Sequence, residues 1–569
     1  MGRQDDAYPA ENACINTRHK TCWYDVATQP VLCAYPLQDI YMNERHIPFG
    51  MNRIHHGQPW IRKIVFVIII CTGLCVAALL FRTAVSQIAR RTVSCPDCNV
   101  VILDIDTLRE DALHCFDTNA VVAPNLCKLI RQSAYFPYDF SQSNWTLPSS
   151  LSTYTSQYPN IHGVWKERGE VLSSTTQTLA SFFQHHGYQT YYSGQNNDSV
   201  LTQYNGGLRG YMHLNLDPES DRDWLSSFQS ALFNGQPVLF HAYTSWLHMP
   251  YVLNPGELPV EHLVRPKGFP VSQSEFEQVF GTYLTLHMNE VFTRDTIKEN
   301  PDIFMAPESV RAERMVDYFF ALGNENDIVK RKKAWPAIYS AYMQYIDVKN
   351  PHDIAFLHMM YESKVRALDT HLAGFINFLL QPEISAHTIV ILTSSHGEAF
   401  GEHGTFTHDS VPYNELYRVP LAIKYPHSTG TTIHSVVENI DLFPTIAELV
   451  TGEMIKNVQG VSLLPRIIGL SATVKPYVIS INDNDEFVIQ NNRYAAVFYR
   501  NPRLNPELYD VRTDPTEQHD IVALYPHIMQ QFYWQLKKNS ISEPLIPPIH
   551  DTQIPSGVNK QDLIRSGYF

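Results

Sequence analysis

The chain has 569 residues, enough for more than one average domain, and its 44% hydrophobic content suits a folded core rather than a disordered polymer. A net charge of −14 excludes nonspecific nucleic-acid binding, which needs a basic surface to displace counterions from phosphates. The nine cysteines all lie at or before residue 127, and Cys95-Pro-Asp-Cys98 has no second CxxC. A local disulfide or plain thiols are therefore expected there, not a metal or redox motif.

Residues 1–61 mix Pro, Asn, Gln, His and charges without a sustained apolar period, and read as a weakly ordered polar tail. Ile64 to Phe81 then runs 18 residues without a charge between Arg62-Lys63 and Arg82, which predicts a transmembrane helix over 62–84. Because a polar tail precedes it, the span reads as an anchor rather than a cleaved signal. Arg45, Arg53, Arg62 and Lys63 before it, against Arg82, Arg90 and Arg91 after it, bias the N-terminus inward only slightly.

Folding begins near Cys98. The run NVVILDID from Asn99 is apolar until it ends in Asp104 and Asp106, as a parallel strand buried on both faces should be. Acids at the C-terminal end of such a strand sit where α/β folds place their sites. Similar runs recur at 237–243 (PVLFHAY) and 387–395 (HTIVILTSS), separated by helical patterns, so the expected architecture is an α/β sandwich. Residues 255–355 carry little strand signal and read as a mostly helical insertion. Short β-like segments after Pro465 (YVISIND, EFVIQNN, YAAVFYR) predict a small antiparallel subdomain over 466–525, followed by a peripheral tail over 526–569.

One segment carries chemistry. In NWTLPSSLSTYTSQYPNIHG (144–163), Thr146 is followed by Pro148, Ser149, Thr155, Pro159 and His162-Gly163. This spacing resembles the sulfatase signature of the alkaline phosphatase superfamily, in which the first position is the nucleophile. Further landmarks follow in family order from Asn99 to about Val522: IDTLR (105–109), APNLCKL (123–129), HMPY (248–251), SHGEAFGEH (395–403) and LYDVRTDP (508–515). The resemblance implies an alkaline-phosphatase-like three-layer sandwich with a mostly parallel central sheet, and a catalytic domain over 98–465. It also implies that the domain faces outward, as an extracytoplasmic unit on a single-pass membrane protein.

Hydrolysing a sulfate or phosphate ester needs an oxygen nucleophile, a cation to lower its pKa and hold the anionic ester, and a donor for the leaving oxygen. By the resemblance, Thr146 is the nucleophile, and Asp106, Ser395, His396 and Thr146 itself surround one divalent ion, whether calcium, manganese or zinc. His408 takes the place of a Lys or His touching the transferred group, and His248 that of a general acid near the leaving group. The expected partners are an anionic ester, either a sulfated glycan or a phospholipid-type headgroup, and the membrane through one helix.

Two departures from the family pattern bear on the reaction. Formylglycine formation requires Cys or Ser at the nucleophile position, usually with Arg at +4, whereas this chain has Thr146 and Ser150. Threonine is similar to the nucleophile of phosphodiesterase and phosphoethanolamine-transferase relatives, so phosphoester chemistry competes with sulfate ester hydrolysis. Ser395 stands where the family has the Asp of an Asp-His metal pair, and a neutral hydroxyl holds a hard cation less well than a carboxylate. Asp104, Glu398 and Asp409 are candidates to compensate. A catalytically silent relative that binds an anionic glycan or lipid headgroup is the rival reading. The plainer alternatives are a helix cap for Asp106, the acceptor threonine of an Asn144-Trp-Thr sequon for Thr146, and core imidazoles for the histidines. Asn197-Asp-Ser is a second sequon.

Overall fold

The computed structural model describes residues 66–68, 71–72 and 93–539, apart from 117–120, 166–169, 195–200, 204, 218–219, 255–256, 258–263, 293, 324–333, 409–410, 471–474, 483–485 and 502. The polar tail 1–61, Asn197, Asp409 and residues 540–569 lie outside the described residues. The expected anchor requires correction. Among the described residues no helix is long and apolar enough to cross a membrane. Of the expected span only 66–68 and 71–72 are described, as short helical pieces. The single-pass placement and the membrane partner are therefore not supported.

The central sheet is built from β1 (Asn99–Ile105), β2 (Ala134–Phe140), β3 (Gln189–Gly194), β4 (His213–Asn215), β5 (Val238–Thr244) and β6 (Thr388–Thr393). After a small ribbon of β7 (Ala399–Phe400) and β8 (Phe406–Thr407), β9 (Arg418–Lys424), β10 (Thr431–Thr432) and β11 (Val437–Glu438) complete it. The order is β10-β2-β9-β6-β1-β5-β3-β4, with β11 on β2. Only β9 runs antiparallel to its neighbours β2 and β6. β1, β5 and β6 are buried along almost their whole length, which is why they read as unbroken apolar runs.

Helices cover both faces. On one side α1 (Pro124–Ile130) lies with α8 (Pro351–Leu379) and with the 255–355 region, whose described part holds α5 (Gln273–Leu286), α6 (Glu308–Gly323) and α7 (Ala334–Met343). On the other lie α2 (Thr146–Thr155), α3 (Leu179–His185) and α9 (Leu442–Thr451); α4 (Trp224–Leu232) belongs to the first side. Alternation along β1 divides the two cores: Val101, Leu103 and Ile105 face α8, while Val100 and Ile102 face α2 and α9.

A separate antiparallel sheet follows, β12 (Val478–Ile481), β13 (Glu486–Gln490), β14 (Tyr494–Tyr499) and β15 (Glu507–Asp510), packed on α10 (Pro526–Lys538). It docks directly before α2: Ile481 N donates to Gln142 O at 2.9 Å, and Ser480 Oγ donates to Ser141 O. Among the described residues two disulfides are formed, Cys95–Cys98 and Cys115–Cys127, the second tying the segment before α1 to that helix.

Candidate active site

Parallel register assembles the site. Asp104 of β1 pairs with Thr393 of β6, so two residues further on Asp106 and Ser395 arrive at the same level at the sheet's C-terminal edge. Asp106 N donates to Thr244 O at 2.9 Å, extending the β5 pairing past the strand end. Thr146 is the first residue of α2, preceded by Trp145 in an extended conformation. Its hydroxyl thus sits at the positive end of a ten-residue helix, where negative charge on oxygen is stabilised.

Thr146 Oγ1 lies 3.3 Å from Asp106 Oδ2 and 3.2 Å from His396 Nε2. Ser395 Oγ donates to Asp106 Oδ1, Tyr243 OH donates to Oδ2 at 3.0 Å, and His396 Nε2 stands 3.5 Å from Oδ1. All four expected ligand residues are brought together and buried. Burial raises the Asp106 carboxyl, but the imidazoles of His396, His248 and His408 and the Ser395 hydroxyl outweigh it, leaving the group below its usual value. Burial, then His408, pushes His396 down to about 4 against the pull of Asp106, so its ring is neutral at pH 7.

That neutral ring bears on metal binding. Nδ1 of His396 faces Gly397 O at 2.9 Å and must carry the proton, which turns the Nε2 lone pair toward the Asp106 carboxylate. Two lone-pair groups facing each other across 3.5 Å repel, and a cation between them relieves the repulsion. The donors, one carboxylate, one imidazole and the hydroxyls of Thr146 and Ser395, fit a divalent ion that accepts oxygen and nitrogen. Among the described residues no group of three or more His, Cys, Asp or Glu side chains is placed to hold a metal, so any ion here depends on the hydroxyls.

His408 and His248 line the same site. The His408 ring stands 4.4 Å from that of His396, 4.9 Å from that of His248 and 5.0 Å from that of Trp145. Its Nδ1 lies 3.1 Å from Glu398 Oε1. Burial pushes Glu398 up to about 7, with His248, His396 and the Tyr251 hydroxyl pulling it back. His248 is half-buried, its Nδ1 against Met249 O at 3.1 Å, ahead of the cis Met249–Pro250 bond.

Other motif residues brace the site. Ser149 Oγ donates to Ser395 O and lies 2.6 Å from Ser141 Oγ, so the +3 serine ties α2 to the loop after β6. His162 Nδ1 accepts from Val164 N at 3.2 Å while Nε2 reaches Ser152 Oγ at 3.0 Å; burial drives its pKa down to about 3, and it stays neutral. Of the candidates to compensate for Ser395, Asp104 is committed to His241 Nε2 and Tyr154 OH, both at 3.3 Å, and Glu398 to His408. Asn144 is fully buried, its Nδ2 donating to His408 O at 2.6 Å, so that sequon is closed to a glycan.

Tyr243, Trp145 and Arg109 were not foreseen at the site. Arg109 spends its fork on Asp111 (2.7 and 2.9 Å) and Glu402, and donates to Glu398 O at 2.9 Å, bracing the loop. The one sequence signal for it was its place in IDTLR.

Comparison with known proteins identifies the family. The Sulfatase family matches residues 98–260 and 316–452, more than half of the chain, and the C-terminal region of N-sulphoglucosamine sulphohydrolase matches 401–542. The chain belongs to the sulfatase family of ester hydrolases, with the alkaline-phosphatase-like fold. The stretch between the two matched parts contains α5. The chain is 20% identical over 477 residues to N-acetylglucosamine-6-O-sulfatase of Bacteroides thetaiotaomicron, covering 76% of this chain and 84% of the relative. It is 26% identical over 215 residues to arylsulfatase K of Xenopus laevis, covering 35% of this chain and 40% of that protein.

Among solved structures, one in complex with its substrate D-glucosamine-2-N,6-O-disulfate superposes with a TM-score of 0.58 at 18% identity, over 79% of this chain and 99% of the other. Phosphonate monoester hydrolase of Agrobacterium radiobacter gives 0.53 at 18% identity, over 78% and 95%. At these identities the superpositions establish the shared fold.

Proposed function

We propose that this protein cleaves a sulfate or phosphate ester through a covalent intermediate on Thr146, with one divalent cation held by Asp106, His396, Ser395 and Thr146. The observation that carries the reading is the Thr146 hydroxyl, poised between Asp106 and His396 at a helix N-terminus. When bound, the cation supplies positive charge that favours the alkoxide and holds an anionic ester oxygen. Thr146 gives up its hydroxyl proton to solvent, its Oγ1 bonds to the sulfur or phosphorus as the bond to the leaving oxygen breaks, and His248 gives that oxygen a proton. His408 touches the transferred group. Water then takes the group in a hydrolase, or an alcohol in a phosphoethanolamine-type transferase.

The named sulfated substrates of relatives favour a sulfated glycan. Threonine at the nucleophile position, with the likeness to phosphonate monoester hydrolase, favours a phosphodiester or phosphonate, including a phospholipid-type headgroup. A second reading rests on Ser395, whose hydroxyl donates to Asp106 where the family pattern has a second carboxylate: a silent protein that binds the anionic ester without cleaving it. The test is turnover of aryl sulfate, phosphodiester and phosphonate esters with calcium, manganese or zinc. Thr146→Ala is expected to lower turnover at least ~1,000-fold at unchanged Tm. Unchanged turnover removes Thr146 from the reaction. No turnover by the native chain on any ester, with binding retained, favours the silent reading.

A further inference from the structure

A threonine nucleophile poses a problem that formylglycine chemistry does not. A sulfuryl or phosphoryl group esterified to Thr146 leaves only if a second nucleophile attacks it, and a neutral water needs a base to take its proton. The base must stand on the site side of Thr146 and be oriented by a third group.

Glu398 and His408 have that arrangement. Glu398 is fully buried, two residues beyond His396, and burying a carboxylate is costly unless something answers it. It is not answered by the nearest guanidinium: Arg109 binds the backbone carbonyl of Glu398 and gives its fork to Asp111 and Glu402. Glu398 Oε1 is aimed at His408 Nδ1 at 3.1 Å, the Tyr251 hydroxyl lies beside the carboxylate, and Oε2 has no hydrogen-bond partner among the described residues.

The His408 ring is boxed edge-on by Trp145 and His248, and Asn144 holds its backbone carbonyl. With Nδ1–H committed to Glu398, the lone pair on the opposite edge belongs to Nε2. The ring centroid lies 4.4 Å from that of His396, whose Nε2 is 3.2 Å from the Thr146 hydroxyl, so His408 borders the space around the nucleophile's position.

Resting on the Thr146 reading, we propose that His408 is the general base of the second half-reaction and that Glu398 is the positioning residue that fixes its tautomer. Water oxygen bonds to the sulfur or phosphorus while the bond to Thr146 Oγ1 breaks. The water proton passes to His408 Nε2, and His408 returns a proton to the Thr146 oxygen, which restores the enzyme. A lysine at this position, protonated and with a single side-chain nitrogen, holds an anion but supplies no such oriented base.

The experiment follows an aryl sulfate and an aryl phosphate through rapid mixing with the full chain. In Glu398→Gln we expect a burst of one aryl alcohol per site at nearly the native rate, followed by steady turnover lowered about 100-fold. A sulfuryl or phosphoryl adduct then accumulates on the peptide containing Thr146, and His408→Lys behaves likewise. Burst and steady rates falling together without an adduct, or an unaltered steady rate, overturn the proposal. A readout independent of turnover is the nitrogen-15 spectrum of histidine-labelled protein, with His408 assigned from His408→Gln. Nδ1–H is expected in the native chain and a mixture of tautomers in Glu398→Gln; Nε2–H in the native chain refutes the dyad even if no ester is cleaved. Active native chain with no adduct in any variant, and Thr146→Ala still active, instead sinks the threonine intermediate on which this role depends.

Discussion

In the proposed cation site Ser395 governs the electrostatics, because its hydroxyl donates to the Asp106 oxygen that a second carboxylate would otherwise face across an ion. Ser395→Asp replaces that donor with a like charge in a buried pocket, so the metal-free variant is expected to be destabilised relative to the native chain. A divalent ion reverses the sign by binding two carboxylates instead of one, and binding to the folded state alone raises stability with ion concentration. Thermal denaturation at stepped calcium, manganese or zinc should show the Tm of Ser395→Asp starting lower and climbing more steeply than the native value. Parallel curves would mean that residue 395 does not face the ion. At this scale residue type and spacing were enough to single out Thr146, Asp106 and His396, which the structure brings together. Tyr243 was hidden because its approach to Asp106 depends on β5 lying beside β1, which no local pattern records. Asp104, a candidate to compensate for Ser395, is instead taken by His241 and Tyr154.

The loop from Ser394 to His408 has to bring an imidazole, a carboxylate and a second imidazole to one place, and Gly397 is what lets it pass. A Cβ at that position would lie 2.0 Å from the backbone oxygen of Glu415, and Gly397 N donates to Leu416 O at 2.8 Å, so loop and chain are in direct backbone contact. Gly397→Ala must push them apart and move His396 and Glu398 with them. The expected cost is about 2 kcal/mol or more, with weakened ion binding, read by denaturant titration and by calorimetry with the metal. A native-like midpoint and affinity would show that the contact is slack. Among the elements, β1, β5 and β6 were readable because burial on both faces makes them uniformly apolar. β3 (QTYYSG) lacks that run, and the antiparallel insertion of β9 between β2 and β6 follows from the chain's return path rather than from its own residues.

At the scale of the whole molecule, the C-terminal sheet holds the site from outside. β12 bonds to the strand end that leads into Thr146, and a second junction reaches the loop carrying His403. There His403 bridges Glu415 Oε1 (2.7 Å) and Glu517 O (3.1 Å), the Tyr413 ring stacks on it at 3.6 Å, and Glu517 Oε2 accepts from Asn414 N at 2.8 Å. Strand-like segments after Pro465 foretold the sheet, but not this docking, because its polar contacts join residues about a hundred positions apart. Burial first, then Glu415, pushes the Glu517 carboxyl from its ordinary 4.5 up to about 8. The folded chain therefore keeps this proton through a range in which the unfolded chain has lost it. Since the folded state binds more protons between about 4.5 and 8, the stability Glu517 contributes is complete below that window and disappears as pH rises through it. Glu517→Gln keeps the shape without the ionisation, so its stability should match that of the native chain near pH 4.5 and exceed it progressively toward pH 8, by an amount on the order of a few kcal/mol, with Tm rising accordingly. Thermal melts of both proteins across that range decide the matter: a constant offset would mean that Glu517 stays ionised in the folded chain and that the junction is held by other contacts.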